Sequence, residues 1–183
     1  RCGVKNTRRC KMTTAIETPR LFLAPYRASM VTYRHIGWLN SKAGMKYSEQ
    51  RHHVHTLETQ HEYLNKFPVH SHIWLIINRD HRLHIGTITA HIDPFNKTAN
   101  MGVLIGELTY RGNGYAIEAW SEVMDFLWTS DIEKIEAGMM DTNEPMIGIC
   151  KRTGMGLEGH RLNHFLVDNK RVHLVQYGAW REP

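Results

Sequence analysis

"TYRGNGYAIEAW", residues 109–120, decides the reading of this chain. Two glycines, Gly112 and Gly114, stand directly before an amphipathic helical pattern, with Arg111 in front. Glycine takes positive φ without steric cost and lets a ligand approach the backbone closely. The first-turn N–H groups of the helix have no intrahelical partner. Together with the helix dipole they favour a phosphate or pyrophosphate. Arg111 offers a charge-assisted contact to the same anion. From spacing alone the alternative stays open that the glycines serve only a tight structural turn. Two nucleotide patterns fail. There is no G-x-x-x-x-G-K-[ST] run, and no G-x-G-x-x-G follows the first strand.

Outward from this turn the chain reads as one mixed α/β unit. N-terminal to it lie a first strand in "PRLFLAPY" (19–26), a helix over 29–40 with Ser29 as cap, and a polar loop over 41–55. A helix capped by Thr56 and stopped by Pro68 follows, then a hairpin of 72–78 and 84–93 turning at "RDHR", then an apolar strand over 99–108. C-terminal to the turn come its helix, a strand over 132–140, and a helix capped by Asn143 and ended by Gly154. A closing hairpin turns at "DNK". No repeat or linker divides it.

Composition narrows the classes. The 183 residues carry a net charge of +5, but the first eleven hold Arg1, Lys5, Arg8, Arg9 and Lys11 with no acid. Without those five cations, 18 basic residues face 18 acidic ones, so the body is neutral and argues against nucleic acid. Residues 1–11 read as a basic leader outside the fold, and 12–183 as a single domain. Cys150 is the only cysteine after that leader, which suits a reducing cytoplasm and no disulfide framework. No apolar run approaches the roughly 18 residues of a membrane span. "RHHVH" (51–55) lacks a Cys or acidic partner at ligand spacing, so no metal is expected there.

Arg111-Gly112-Asn113-Gly114-Tyr115-Ala116 fits [QR]-x-x-G-x-[GA], and "DTNEPMIGICKRTGMGLEG" (141–159) fits a second segment carrying Asn143, Lys151, Gly154 and Glu158-Gly159. By these motifs the chain resembles the GNAT superfamily of acyl-CoA-dependent N-acetyltransferases, from about residue 16 to residue 181. "ETPRLFLAPY" resembles the branch of ribosomal-protein N-terminal acetyltransferases. The resemblance implies a mostly antiparallel sheet of six to seven strands, flanked by about four helices and splayed at its centre. It implies acetyl-CoA as cosubstrate and no metal. The amides of Arg111, Gly112, Asn113, Gly114, Tyr115 and Ala116 would hold the pyrophosphate. Val103, Leu104 and Ile105 would pair with the pantetheine arm, and Asn143 would meet it. A main-chain N–H near Leu104 would polarise the acetyl carbonyl.

The chain departs from the family where the acid and base are expected. Cys150 stands where many members have a tyrosine, Met146 where the ribosomal branch has a serine, and Phe165 near that branch's glutamate. Cys150 is a weak proton donor or a packing residue. The remaining catalytic candidates are Glu107, His91 and His164. Trp38, Glu49, Arg51, His52 and Asp93 are the expected acceptor-site residues. The acceptor is a small amine, an amino sugar or a peptide N-terminus, and the chain is expected to pair as a homodimer. A catalytically weak acyl-CoA binder is the alternative.

Overall fold

The computed structural model describes residues 14–181. The basic leader expected at residues 1–11 lies outside the described residues. One eight-stranded sheet has the order β1-β2-β3-β4-β5-β6-β8-β7. Its strands are β1 (Ile16–Glu17), β2 (Leu21–Pro25), β3 (His72–Asn78), β4 (Leu83–Asp93), β5 (Thr98–Ile105), β6 (Lys134–Met140), β7 (Gly156–Val167) and β8 (Lys170–Trp180). The strand beyond the expected seven is the two-residue β1. Four helices flank the sheet: α1 (Tyr33–Leu39), α2 (Leu57–Asn65), α3 (Tyr115–Trp128) and α4 (Glu144–Arg152).

Alternation sorts the two faces. Ile88, Ala90, Ala99, Met101, Ile135 and Ala137 join one buried cluster with Trp120, Val123 and Leu127 of α3 and Ile149 and Cys150 of α4. Each such large aliphatic or aromatic side chain contributes roughly 1.5–3 kcal/mol by leaving water. The opposite face carries α1 and α2 over Tyr26, Ile73 and Leu75.

Local signals behave as their chemistry demands at most ends. Thr56 accepts from Thr59 N–H in a reciprocal capping box. Asn143 accepts from Met146 N–H, and Gly154 ends α4 at φ 77°. The start of α1 differs from expectation. Ser29 lies in a short 3-10 turn, Ala28–Met30. Thr32 is the cap, its side chain accepting from His35 N–H. Two β-OH residues three apart compete for such a role, and only the second precedes a full helical turn.

The feature that positions the site is the join between β5 and β6. Among the described residues it is the only parallel pair, and it runs for three rungs, Thr98↔Lys134, Ala99↔Ile135 and Asn100↔Glu136. Beyond them the strands part. β5 continues beside β4 to Ile105, opposite Gly86, while β6 continues beside β8 to Met140, opposite Leu174. The sheet opens as a V between these two arms.

Candidate active site

Past Asn100 the open edge of the β5 arm has no strand partner among the described residues. Lys97 C=O accepts from Glu133 and Lys134 N–H, so it faces β6. Gly106 N–H donates to Ile85 C=O, so it faces β4. Alternation between these points turns the groups of Val103 and Ile105 toward the slot and those of Gly102 and Leu104 toward β4. The polarising amide expected near Leu104 therefore belongs to Val103 or Ile105. Arg111 bends back so that its Nε donates to Ile105 C=O at 2.8 Å. That contact ties the glycine turn to the strand end and occupies one of the donors of the guanidinium expected to meet the anion.

At the mouth of the slot, Gly112 has φ 77° and Gly114 φ 81°. Gly114 is the N-cap of α3 in the left-handed conformation, with no side-chain cap bond. The first helical bond is Glu118 N–H to Gly114 C=O. The amides of Tyr115, Ala116 and Ile117 precede it and have no acceptor among the described residues. A Cβ built on Gly112 would meet nothing within 4 Å. A bare helix mouth with open space before it fits a phosphate group.

A clasp that sequence reasoning missed holds this turn. Glu118 Oε1 accepts from Arg20 N–H at 2.9 Å and from the Thr18 hydroxyl. Glu118 Oε2 accepts from Arg20 Nε at 2.6 Å. Arg20 Nη1 also donates to Asn113 C=O at 3.0 Å, and its guanidinium lies 4.4 Å above the Tyr115 ring. Burial acts to raise the Glu118 pKa. The hydrogen bonds from Thr18 and Arg20 and the Arg20 charge outweigh it, so the carboxyl sits below its ordinary 4.5. The partners are almost a hundred residues apart, beyond the reach of any local pattern.

Beside the mouth, Trp38 lies against Gly106, where a Cβ would fall 1.9 Å from its ring. Trp38 Nε1 donates to Glu107 Oε1 at 3.3 Å, and Arg34 Nη1 donates to the same oxygen at 2.9 Å. Glu107 lies two residues past β5, with Oε2 free of partners among the described residues. His84 and His35 lie behind Trp38, their ring centroids 4.8 and 5.8 Å from it. Burial drives both imidazoles down to about 4; His84 and His55 add to the effect on His35, and Arg34 to that on His84. Both are neutral at pH 7. His84 Nε2 meets Gly86 C=O at 2.9 Å. A carbonyl only accepts, so Nε2 carries the proton and Nδ1 is the bare nitrogen. Burial holds the Tyr26 phenol above its ordinary value, so it stays protonated, and its hydroxyl shares a hydrogen bond with His35 Nδ1 at 2.6 Å.

On the same face a cavity of about 420 Å³ opens between α1, α2 and the sheet, lined in part by His35, Gln50, His55, Tyr63, Thr87 and Thr89. The expected acceptor residues Glu49, Arg51 and His52 are neighbours of this wall. Arg51 pairs with Glu49 at 2.6 Å and donates to Leu166 C=O of β7 at 3.3 Å. His52 Nε2 lies 3.8 Å from Glu49. They fasten the loop while Gln50, His53 and His55 face inward.

Other candidates do not meet at the slot. Asp93 accepts from Phe95 N–H at 2.9 Å and Asn96 N–H at 3.1 Å, capping the turn at the far end of the sheet. His91 rests on Phe67 with ring centroids 5.0 Å apart, opposite Asn100 at the closed end of the V. His164 is exposed on edge strand β7 beside Phe165. Cys150 is fully buried, and burial pushes its thiol up to about 11. That position suits packing rather than proton transfer at neutral pH.

An open-edged V, a bare helix mouth and a helix-covered cavity together define an acyltransferase of the acyl-CoA type. The family profile described as "Acetyltransferase (GNAT) domain" matches residues 20–156, and the chain belongs to that family. No curated protein matches it in sequence. Among solved structures it is similar to RimL, a ribosomal L7/L12 alpha-N-protein acetyltransferase in complex with coenzyme A. The TM-score is 0.80 at 18% identity, covering 91% of this chain and 98% of that one. A spermidine N-acetyltransferase SpeG chimera from Vibrio cholerae and hSSAT gives 0.76 at 15% identity, covering 88% and 96%. The microcin C7 self-immunity acetyltransferase MccE in complex with acetyl-CoA and AMP gives 0.73 at 16%, covering 89% and 93%.

Proposed function

We propose that this acetyltransferase moves the acetyl group of acetyl-CoA to a primary amine by direct attack in a ternary complex. The observation that carries the reading is the alignment of the bare α3 mouth with the unpaired edge of β5. One ligand bearing a diphosphate, an amide-rich arm and a thioester would satisfy both. The amides from Gly112 to Ile117 would hold the diphosphate, and Val103 and Ile105 would pair with the arm. An amide of the same edge would polarise the carbonyl. Asn143, the N-cap of α4, would meet that arm from the other side of the V.

The amine enters from the cavity under α1 and α2, whose polar lining suits a small amine, an amino sugar or a peptide N-terminus. Holding both reactants in one slot supplies several kcal/mol of the barrier. Glu107 Oε2 is the base we assign at the mouth, with Oε1 held by Arg34 and Trp38. Buried Cys150, the only cysteine of the body, supports a reducing cytoplasmic setting. We read the active form as a homodimer without nucleic acid, the latter because the body is neutral.

The test is coenzyme A release over amino sugars, polyamines, aminoglycosides and N-terminal peptides, with Glu107→Gln beside the parent. Turnover with at least one class, and a drop of roughly 10²-fold or more in kcat for the variant, is expected. Unchanged turnover in Glu107→Gln removes the base assignment. The second reading, a catalytically weak acyl-CoA binder, is favoured by Cys150 standing at the family's tyrosine position. It predicts cofactor binding with no turnover on any amine of the panel.

A further inference from the structure

The β6 arm carries three metal-type ligands that acetyl transfer does not use. Asp141 follows β6, His160 lies in β7 and His173 in β8, and their ligand atoms all lie within 4.8 Å of one another. The sheet brings them together. Asp141 N–H donates to His173 C=O at 3.1 Å. His160 stands opposite Val175, two residues from His173 on the same face, and the two imidazoles meet edge-on with centroids 5.0 Å apart. Asp141 Oδ1 is sealed from solvent and has no hydrogen-bond partner. A carboxylate oxygen in that position lacks the donor or cation that its desolvation demands.

We propose that Asp141, His160 and His173 bind a divalent transition-metal ion of the zinc class, with water in the fourth position. Two imidazoles and a carboxylate are a familiar zinc donor set, with bonds of about 2.0–2.2 Å. Donor atoms then stand roughly 3.3 Å apart around a tetrahedral ion. From the 4.8 Å limit the ligand atoms close by up to about 1.5 Å, and exposed His160 has the freedom to turn inward. The ion would tie the β6–α4 junction, two residues before Asn143, to the β7–β8 hairpin.

The site has a built-in reporter. His173 Nδ1 accepts from Asn163 N–H at 2.8 Å. Asn163 has φ 54° in a three-residue excursion of β7, where Arg161 pairs with Leu174 and Phe165 with Val172. A neutral imidazole that ligates through one nitrogen carries its proton on the other. Neither nitrogen can then still accept from Asn163, so loading must release that amide.

The experiment titrates the full chain with Zn²⁺ against a chromophoric chelator and follows Co²⁺ by its visible absorption. His160→Gln, the His160→Gln/His173→Gln double variant and Asp141→Asn are run in parallel. One ion per chain is expected, with a Tm rise of roughly 5–10 °C at a hundredfold excess over Kd. Affinity should fall at least tenfold in His160→Gln, and the Asn163 amide should lose protection on loading. Circular dichroism checks that the variants fold. Absence of binding up to millimolar zinc overturns the proposal. So does unchanged affinity in the double variant, which would put the ion elsewhere on the chain.

Discussion

Gly112→Ala and Gly154→Ala form a matched pair. Both glycines have φ 77°, and a Cβ at either meets nothing within 4 Å. Either alanine is therefore strained by its backbone alone, at roughly 1–2 kcal/mol in the left-handed region. In a domain of this size each kcal/mol moves Tm by roughly 2–4 °C, so both variants should lose roughly 2–8 °C. They differ in what the open space is for. Gly154 ends α4, where its N–H already faces Lys151 C=O. Gly112 opens the turn before the unpaired amides of α3. A methyl there intrudes on the diphosphate and tilts its nearest donor. One hydrogen bond to a charged group contributes about 1.5–3 kcal/mol, which is roughly 10- to 100-fold in Kd. Calorimetric titration with acetyl-CoA, beside thermal unfolding of both variants, reads the two quantities separately. Equal Kd values for Gly112→Ala and Gly154→Ala would refute the assignment of the turn to the cofactor.

Three further outcomes follow from other contacts. Glu118 is held below its ordinary 4.5 by Thr18 and Arg20, so its contribution is full above the unfolded pKa and is lost as pH falls through the folded one. Stability should drop from about pH 4.5 downward, and Glu118→Gln should flatten that limb in melts recorded against pH. Gly106→Ala drives a Cβ into the Trp38 ring; a cost of about 1–3 kcal/mol, and a changed tryptophan near-ultraviolet dichroism, are expected. Cys150→Ala should lower Tm through the cavity it leaves while kcat stays within about twofold. A tenfold fall in kcat would restore the thiol as proton donor.

Signals that act within a few residues were legible in the sequence. The positive φ of Gly112 and Gly114, the caps at Thr56 and Asn143, and the turn at residues 79–82 each depend on local backbone geometry that residue type alone dictates. The V was implied by family resemblance and appears in the three-rung join. What stayed hidden depends on pairs distant along the chain. Arg20 looked like part of a strand opening, yet it clamps Glu118 and Asn113. Arg34 carried no signal, yet it fixes one oxygen of Glu107. Asp93 looked available for a substrate, but an Asp two and three residues before free amides satisfies them first. Thirteen histidines masked the pair that does meet an aspartate, because strand register, not spacing, brings His160 and His173 together.

Three rungs also set how water reads β5. Leu104 and Gly102 turn their amides into the ladder with β4, while Val103 and Ile105 turn theirs into the open V. Consecutive amides along one straight strand should therefore exchange with solvent deuterium at alternately slow and fast rates. A fully flanked strand would show no such stagger, and a guest lying in the V would erase it by slowing the fast members alone.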